Sequence, residues 1–142
     1  MRFMMMVRAT KETESGAMPS QEMINAMMSY NEALMQAGVL LDGGGLQPSA
    51  AGFRVAWNSG KKSVVDGPFA ETKELIAGYW IIQVKSKEEA VEWAMRCPNP
   101  YEGADGAIEL RPLFESPDLT DDEEIIRKEN EMMAQLEKNK KS

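Results

Sequence analysis

The residue best placed for chemistry is Asp66, in the run Asp66-Gly67-Pro68. Proline has no N–H to give a central ladder, so a strand must break there. A carboxylate at a strand end facing a cleft is partly desolvated, and that makes it a usable base. The same placement suits an Asx-type turn, in which the carboxylate accepts a backbone N–H from the loop. Asp66 is therefore the candidate catalytic residue, with the turn as its structural alternative. Any reaction must proceed without histidine, because the 142 residues contain none. A histidine base, a histidine-assisted nucleophile and a histidine metal ligand are all excluded. Proton transfer would fall to carboxylates, tyrosine, lysine or water.

Other polar groups could complete a pocket. Glu71, Thr72 and Lys73 follow within a few residues and could floor a site for a small anionic or hydroxylated molecule. Alternatively, Thr72 caps one helical turn while Glu71 and Lys73 are solvated. Tyr79 and Trp80 occupy consecutive strand positions and so face opposite sides of a sheet. One enters the core; the other faces the pocket or a partner. Arg54, Trp57, Glu109 and Arg111 lie on strands that could line the same cavity or form surface. Glu71, Tyr79, Arg54 and Asp42 are the ligand-binding candidates. Gly43, Gly44 and Gly45 lack the phosphate-loop pattern and read as a bulge or tight turn. Met4, Met5 and Met6 could offer thioethers to copper(I), but inside a sheet they read as packing. No metal or other cofactor is expected.

The elements that must position these groups fit one α+β domain. Residues 2–8 form a strand, and Lys11–Met18 reads as a polar loop. A helix opens at Pro19-Ser20-Gln21-Glu22 and runs to about Ala37, with Met23, Met27, Tyr30 and Leu34 on one stripe. Val39–Leu41 is a short strand leading into the flexible run Asp42-Gly43-Gly44-Gly45. Phe53–Trp57 and Lys62–Val65 make a hairpin about Asn58-Ser59-Gly60. Gly78–Val84 is the clearest strand. Ser86 and Glu89 form a capping box that starts a second helix, which Pro98 stops. Ala107–Phe114 is the last strand. The order β-α-β, hairpin, β-α-β is the ferredoxin-like plan, with two helices on one face of an antiparallel sheet. Successive Met4, Met5 and Met6 also leave apolar groups on the other face. A second copy is the expected cover, giving a homodimer with sheets face to face in a dimeric α/β-barrel-type assembly.

The domain is expected to span residues 1–115, with 116–142 as a linker and an added, charged C-terminal helix. Thr120 and Glu123 suggest a capping box for that helix, and Ile125, Ile126, Met132, Met133 and Leu136 give it an apolar side. It packs on its own body or its dimer partner, or docks another protein. The run Lys138–Lys141 complements the helix dipole. A net charge of −7 argues against nucleic-acid binding, which needs a basic patch. No apolar run is long enough for a membrane span, and Phe3–Val7 is too short for a signal peptide. With one cysteine, Cys97, set in an apolar helical pattern, the expected compartment is the cytoplasm and the expected thiol is buried and inert.

The blocks Asp42-Gly43-Gly44-Gly45-Leu46-Gln47-Pro48, Asp66-Gly67-Pro68-Phe69-Ala70-Glu71-Thr72-Lys73-Glu74 and Gly78-Tyr79-Trp80, with Glu89–Ala94, closely resemble the DGPF branch of the YCII-related proteins. The resemblance covers about residues 1–114. It implies a ferredoxin-like domain that dimerises face to face. Some enzymes of the wider superfamily are thought to pair an aspartate with a histidine near the first helix. Here that helix offers Met23, Met27 and Tyr30 instead, so no such pair forms. DGPF-type proteins are also often associated with extracytoplasmic-function sigma factors, which implies a regulatory setting. Two functions follow as expectations. One is a homodimeric small-molecule-binding protein, with cofactor-independent acid–base activity through Asp66. The other is a non-catalytic regulatory module that works by protein contact. Cofactor-free oxygenases share only the architecture.

Overall fold

The computed structural model describes residues 1–141. Ser142, the last residue of the expected C-terminal segment, lies outside the described residues. The chain forms two compact units, one of Met1–Pro112 and a second from Leu113 onward.

In the first unit, strands β1 (Arg2–Arg8), β2 (Leu40–Gly45), β5 (Ile76–Gln83) and β6 (Ile108–Pro112) form one antiparallel sheet in the order β2-β5-β1-β6. Strands β3 (Phe53–Asn58) and β4 (Lys61–Asp66) form a separate two-stranded ribbon. The helices are α1 (Lys11–Glu14), α2 (Gln21–Gln36) and α3 (Lys87–Met95). This mixed α+β architecture is consistent with the ferredoxin-like plan.

Alternation along the strands decides which side chains form the core. In β1, Phe3 and Met5 turn inward, and Met4 and Met6 turn to the other face. In β5, Trp80 and Ile82 turn inward, so Trp80 takes the core position and Tyr79 the opposite face. Tyr30 and Leu34 of α2 and Ala90 of α3 complete the cluster, with Met5, Leu34 and Ile82 fully buried. The polar ends of the aromatics are satisfied. Tyr30 Oη donates to the Trp93 carbonyl at 2.7 Å, and Trp80 Nε1 donates to Asn31 Oδ1 at 2.7 Å. The Tyr30 and Trp80 rings meet edge to face at 5.7 Å.

The helix ends follow their caps. Ser20 Oγ accepts from Met23 N at 3.1 Å, and Gly38, at φ +72°, closes the far end of α2. Ser86 Oγ accepts from Glu89 N at 3.1 Å, but the Glu89 carboxylate accepts from Lys85 N, one residue before the expected partner.

Four expectations need correction. Lys11–Glu14 is a helical turn, closed because Thr10 and Thr13 cap each other reciprocally. The glycine run after Asp42 is ladder, since Gly43, Gly44 and Gly45 pair with Trp80, Tyr79 and Gly78 after a bulge between Leu40 and Asp42. In the second unit, Ser116–Leu119 is a helical turn, α4, with the Asp118 carboxylate accepting from Glu115 N at 2.8 Å. Helix α5 (Glu123–Lys141) is capped by Asp122, whose Oδ1 accepts from Glu124 N at 3.0 Å; Thr120 accepts from Asp122 N instead. Ile125, Met132, Met133 and Leu136 of α5 are exposed. No helix among the described residues is long and apolar enough to cross a membrane.

Candidate functional site

The segment Asp66–Phe69 does not hang free after β4; it is fastened to the chain between Leu46 and Gly52. Gly67 N donates to the Gly52 carbonyl at 3.0 Å. A β-carbon at Gly67 would lie 1.8 Å from the Ser49 carbonyl oxygen, so only glycine lets the two backbones approach this closely. Ser49 Oγ accepts from Phe69 N at 3.0 Å and donates to Glu14 Oε2 at 2.6 Å. Ser49 N donates to both Glu14 carboxylate oxygens at 3.1 Å. The one-turn helix α1 thus supplies a carboxylate that holds Ser49, and Ser49 holds Phe69. The Arg54 guanidinium stacks over the Phe69 ring, 3.7 Å from its centroid.

These contacts border an open cleft of about 660 Å³. Its apolar walls include Leu46, Pro48, Phe53, Leu75 and Ile76, and its charged groups are Arg54, Glu14 and Glu74. The arrangement offers one cation, held face-on by an aromatic ring, beside apolar surface. Glu14 is already engaged by Ser49, which leaves Glu74 as the second carboxylate at the wall.

Of the catalytic and ligand-binding candidates, the structure brings only Arg54 into this cleft, and of the glycine run Gly45 lines it. Asp66 ends β4 opposite Phe53 and is exposed, and its carboxylate accepts no hydrogen bond among the described residues. The turn role foreseen for Asp66 is filled by Ser49. Glu71 is exposed at the head of a 3₁₀ turn, Thr72–Glu74, without a side-chain cap bond. Tyr79 lies in the main sheet on the face opposite Trp80, between Met6 and Gly44. Asp42 sits on the sheet edge and accepts from the next residue's N–H, Gly43, at 2.8 Å. Of the other strand residues, Glu109 pairs with Arg8 at 3.0 Å and Arg111 lies opposite Met4. Glu14, Ser49, Phe69 and Glu74 were not singled out as site residues. Glu14 sits in a polar stretch without periodicity, and Ser49 is a lone serine in a loop. Phe69, by contrast, was legible as part of the DGPF block.

Two groups lie apart from the cleft, Tyr30, which is buried, and Cys97, which is half-buried rather than fully buried as expected. Burial pushes the Cys97 thiol up to about 11, which suits an inert residue. Burial also raises Tyr30, with the nearby Cys97 adding to the effect.

Comparison with known proteins matches residues 1–116 to the YCII-related domain. A relative from Rhizobium meliloti (strain 1021), uncharacterized protein R00369, is 31% identical over 93 residues, covering 66% of this chain and 74% of that protein. On this match and this relative, the chain belongs to the YCII-related family.

Proposed function

We propose that the protein binds a small organic acid with an apolar or aromatic body in the cleft beside Phe69. The observation that carries this reading is the Arg54 guanidinium, stacked 3.7 Å over Phe69 at the edge of a cavity with largely apolar walls. The acid group meets Arg54, and the body lies along Leu46, Pro48, Phe53 and Ile76. Stacking pre-orders the guanidinium, so less side-chain entropy is lost on binding. Acid–base turnover by Asp66 would need its carboxylate at the bound molecule, and Asp66 does not line the cleft. Binding is therefore preferred to catalysis. We also place the domain in the DGPF branch and a second copy on the sheet face carrying Met4, Met6, Tyr79 and Ile81. The regulatory alternative, including a sigma-factor setting, draws on one feature, the exposed apolar residues of α5.

The test is a thermal-shift series of benzoate, phenylacetate and hexanoate on wild type and Arg54→Ala. A ligand present at a hundred times its Kd raises stability by about 2.7 kcal/mol. The wild type should be stabilised and Arg54→Ala should not. Equal shifts in both proteins, or none in either while both stay folded, would sink the proposal.

A further inference from the structure

The β3–β4 ribbon has two faces, and its ladder register fixes which side chains share each. Phe53 pairs with Asp66, Val55 with Val64, and Trp57 with Lys62, so these six residues occupy one face. The four apolar members are 65%, 44%, 67% and 66% exposed for Phe53, Val55, Trp57 and Val64. Lys62 and Asp66 are exposed as well. A lone two-stranded ribbon is at best marginally stable, and two exposed aromatics on one face are a concentrated apolar patch.

The pattern on this face is self-complementary. One strand reads aromatic, aliphatic, aromatic; the other reads acid, aliphatic, base. Consider a second copy laid face to face, turned about a two-fold axis that runs across the strands at Val55 and Val64. Phe53 of each copy then meets Trp57 of the other, valines meet valines, and Asp66 of each meets Lys62 of the other. Such reciprocity is what an isologous interface requires. Taking about 200 Å² for a whole aromatic side chain, the four apolar residues expose on the order of 450 Å² per copy. Covering these residues on both copies would bury about 900 Å², the size of a weak, reversible interface.

We infer that the Phe53–Asp66 face of the ribbon is a docking surface for the same face of a second copy, with Asp66 paired to Lys62 across the two-fold axis. This surface is separate from the main-sheet face that carries Met4 and Met6. The inference goes beyond the ligand reading; the two share Phe53, which also lines the cleft, whereas Lys62 and Asp66 do not, so reversing those charges tests the docking surface separately from ligand binding.

The experiment is sedimentation velocity of the full chain across micromolar to millimolar concentration, with circular dichroism to confirm folding. Wild type should self-associate reversibly. Lys62→Asp and Asp66→Lys, each alone, should weaken that association by about tenfold, because each sets like charges opposite one another. An equimolar mixture of the two variants should regain wild-type affinity as a heterodimer, and the double swap should regain it alone. A monomeric wild type throughout the range would overturn the proposal. So would association that ignores the charge reversals, or single variants that fail to rescue each other on mixing.

Discussion

At the scale of single residues, the Asp66–Phe69 segment divides its work. Gly67 provides close approach, Phe69 provides a platform for Arg54, and Asp66 faces solvent. Gly67→Ala should be the most damaging small change here. Its β-carbon would overlap a backbone oxygen, which cannot swing away as a side-chain end could. A loss on the order of 3 kcal/mol is expected, read from the urea midpoint at constant slope. A second residue-scale outcome concerns acid. Hydrogen bonds from Ser20 Oγ and then Ser20 N hold the Glu102 carboxyl below its ordinary value of 4.5. A depressed carboxyl contributes stability that is present above the unfolded value and lost as pH falls through the folded one. Wild type should therefore lose stability relative to Glu102→Gln below about pH 4.5, with the two acid limbs converging at lower pH. Urea midpoints at stepped pH values check this, and parallel limbs would refute it. These roles were unevenly legible. The strand break at Gly67-Pro68 could be read from the letters, whereas the Ser49 carbonyl against Gly67 is a contact between distant backbones that no local pattern announces.

At the scale of elements, the strongly periodic segments were readable. Strands β1 and β5, helices α2 and α3 and the β3–β4 hairpin stand where apolar spacing and turn chemistry put them. The misses share a cause. Helix α1 is four residues, too short to show a period, and it exists because Thr10 and Thr13 satisfy each other's N–H groups. Gly43 to Gly45 looked mobile by composition but are fixed by pairing with β5. At Gly43 a β-carbon would meet the Tyr79 carbonyl at 3.1 Å and Trp80 Cδ1 at 3.3 Å, so the glycine makes room for the core tryptophan. The hairpin turn offers a test at this scale. Ser59 and Gly60 both have positive φ, 51° and 79°, the pattern of a type I′ turn, in which asparagine is favoured at the first position. Ser59→Asn should stabilise the ribbon by about 0.5 kcal/mol. Slower hydrogen exchange of the β3–β4 ladder amides is the readout; unchanged or faster exchange would count against the turn assignment.

At the scale of the whole molecule, the two surfaces proposed for a second copy constrain one another. If one two-fold axis serves both the sheet face and the ribbon face, the assembly closes as a dimer; two separate axes build a tetramer or an open chain. The fold class was readable because alternation and helical period specify layers. The cleft was harder to read, since it is assembled from α1, the Leu46–Gly52 segment, the hairpin base and the start of β5. Those pieces carry no shared spacing. Only Arg54 among the foreseen ligand residues belongs to it, because side chains that looked adjacent in the chain fall on opposite faces of different sheets.

The placement of the tryptophans gives the protein an optical signature. Trp57 lies in water at the end of the ribbon, whereas Trp80 is buried in the core. Covering Trp57 would shift its emission to shorter wavelength, and unfolding would shift that of Trp80 to longer wavelength. Assembly and denaturation therefore move the same spectrum in opposite directions, and one titration in a cuvette can tell them apart.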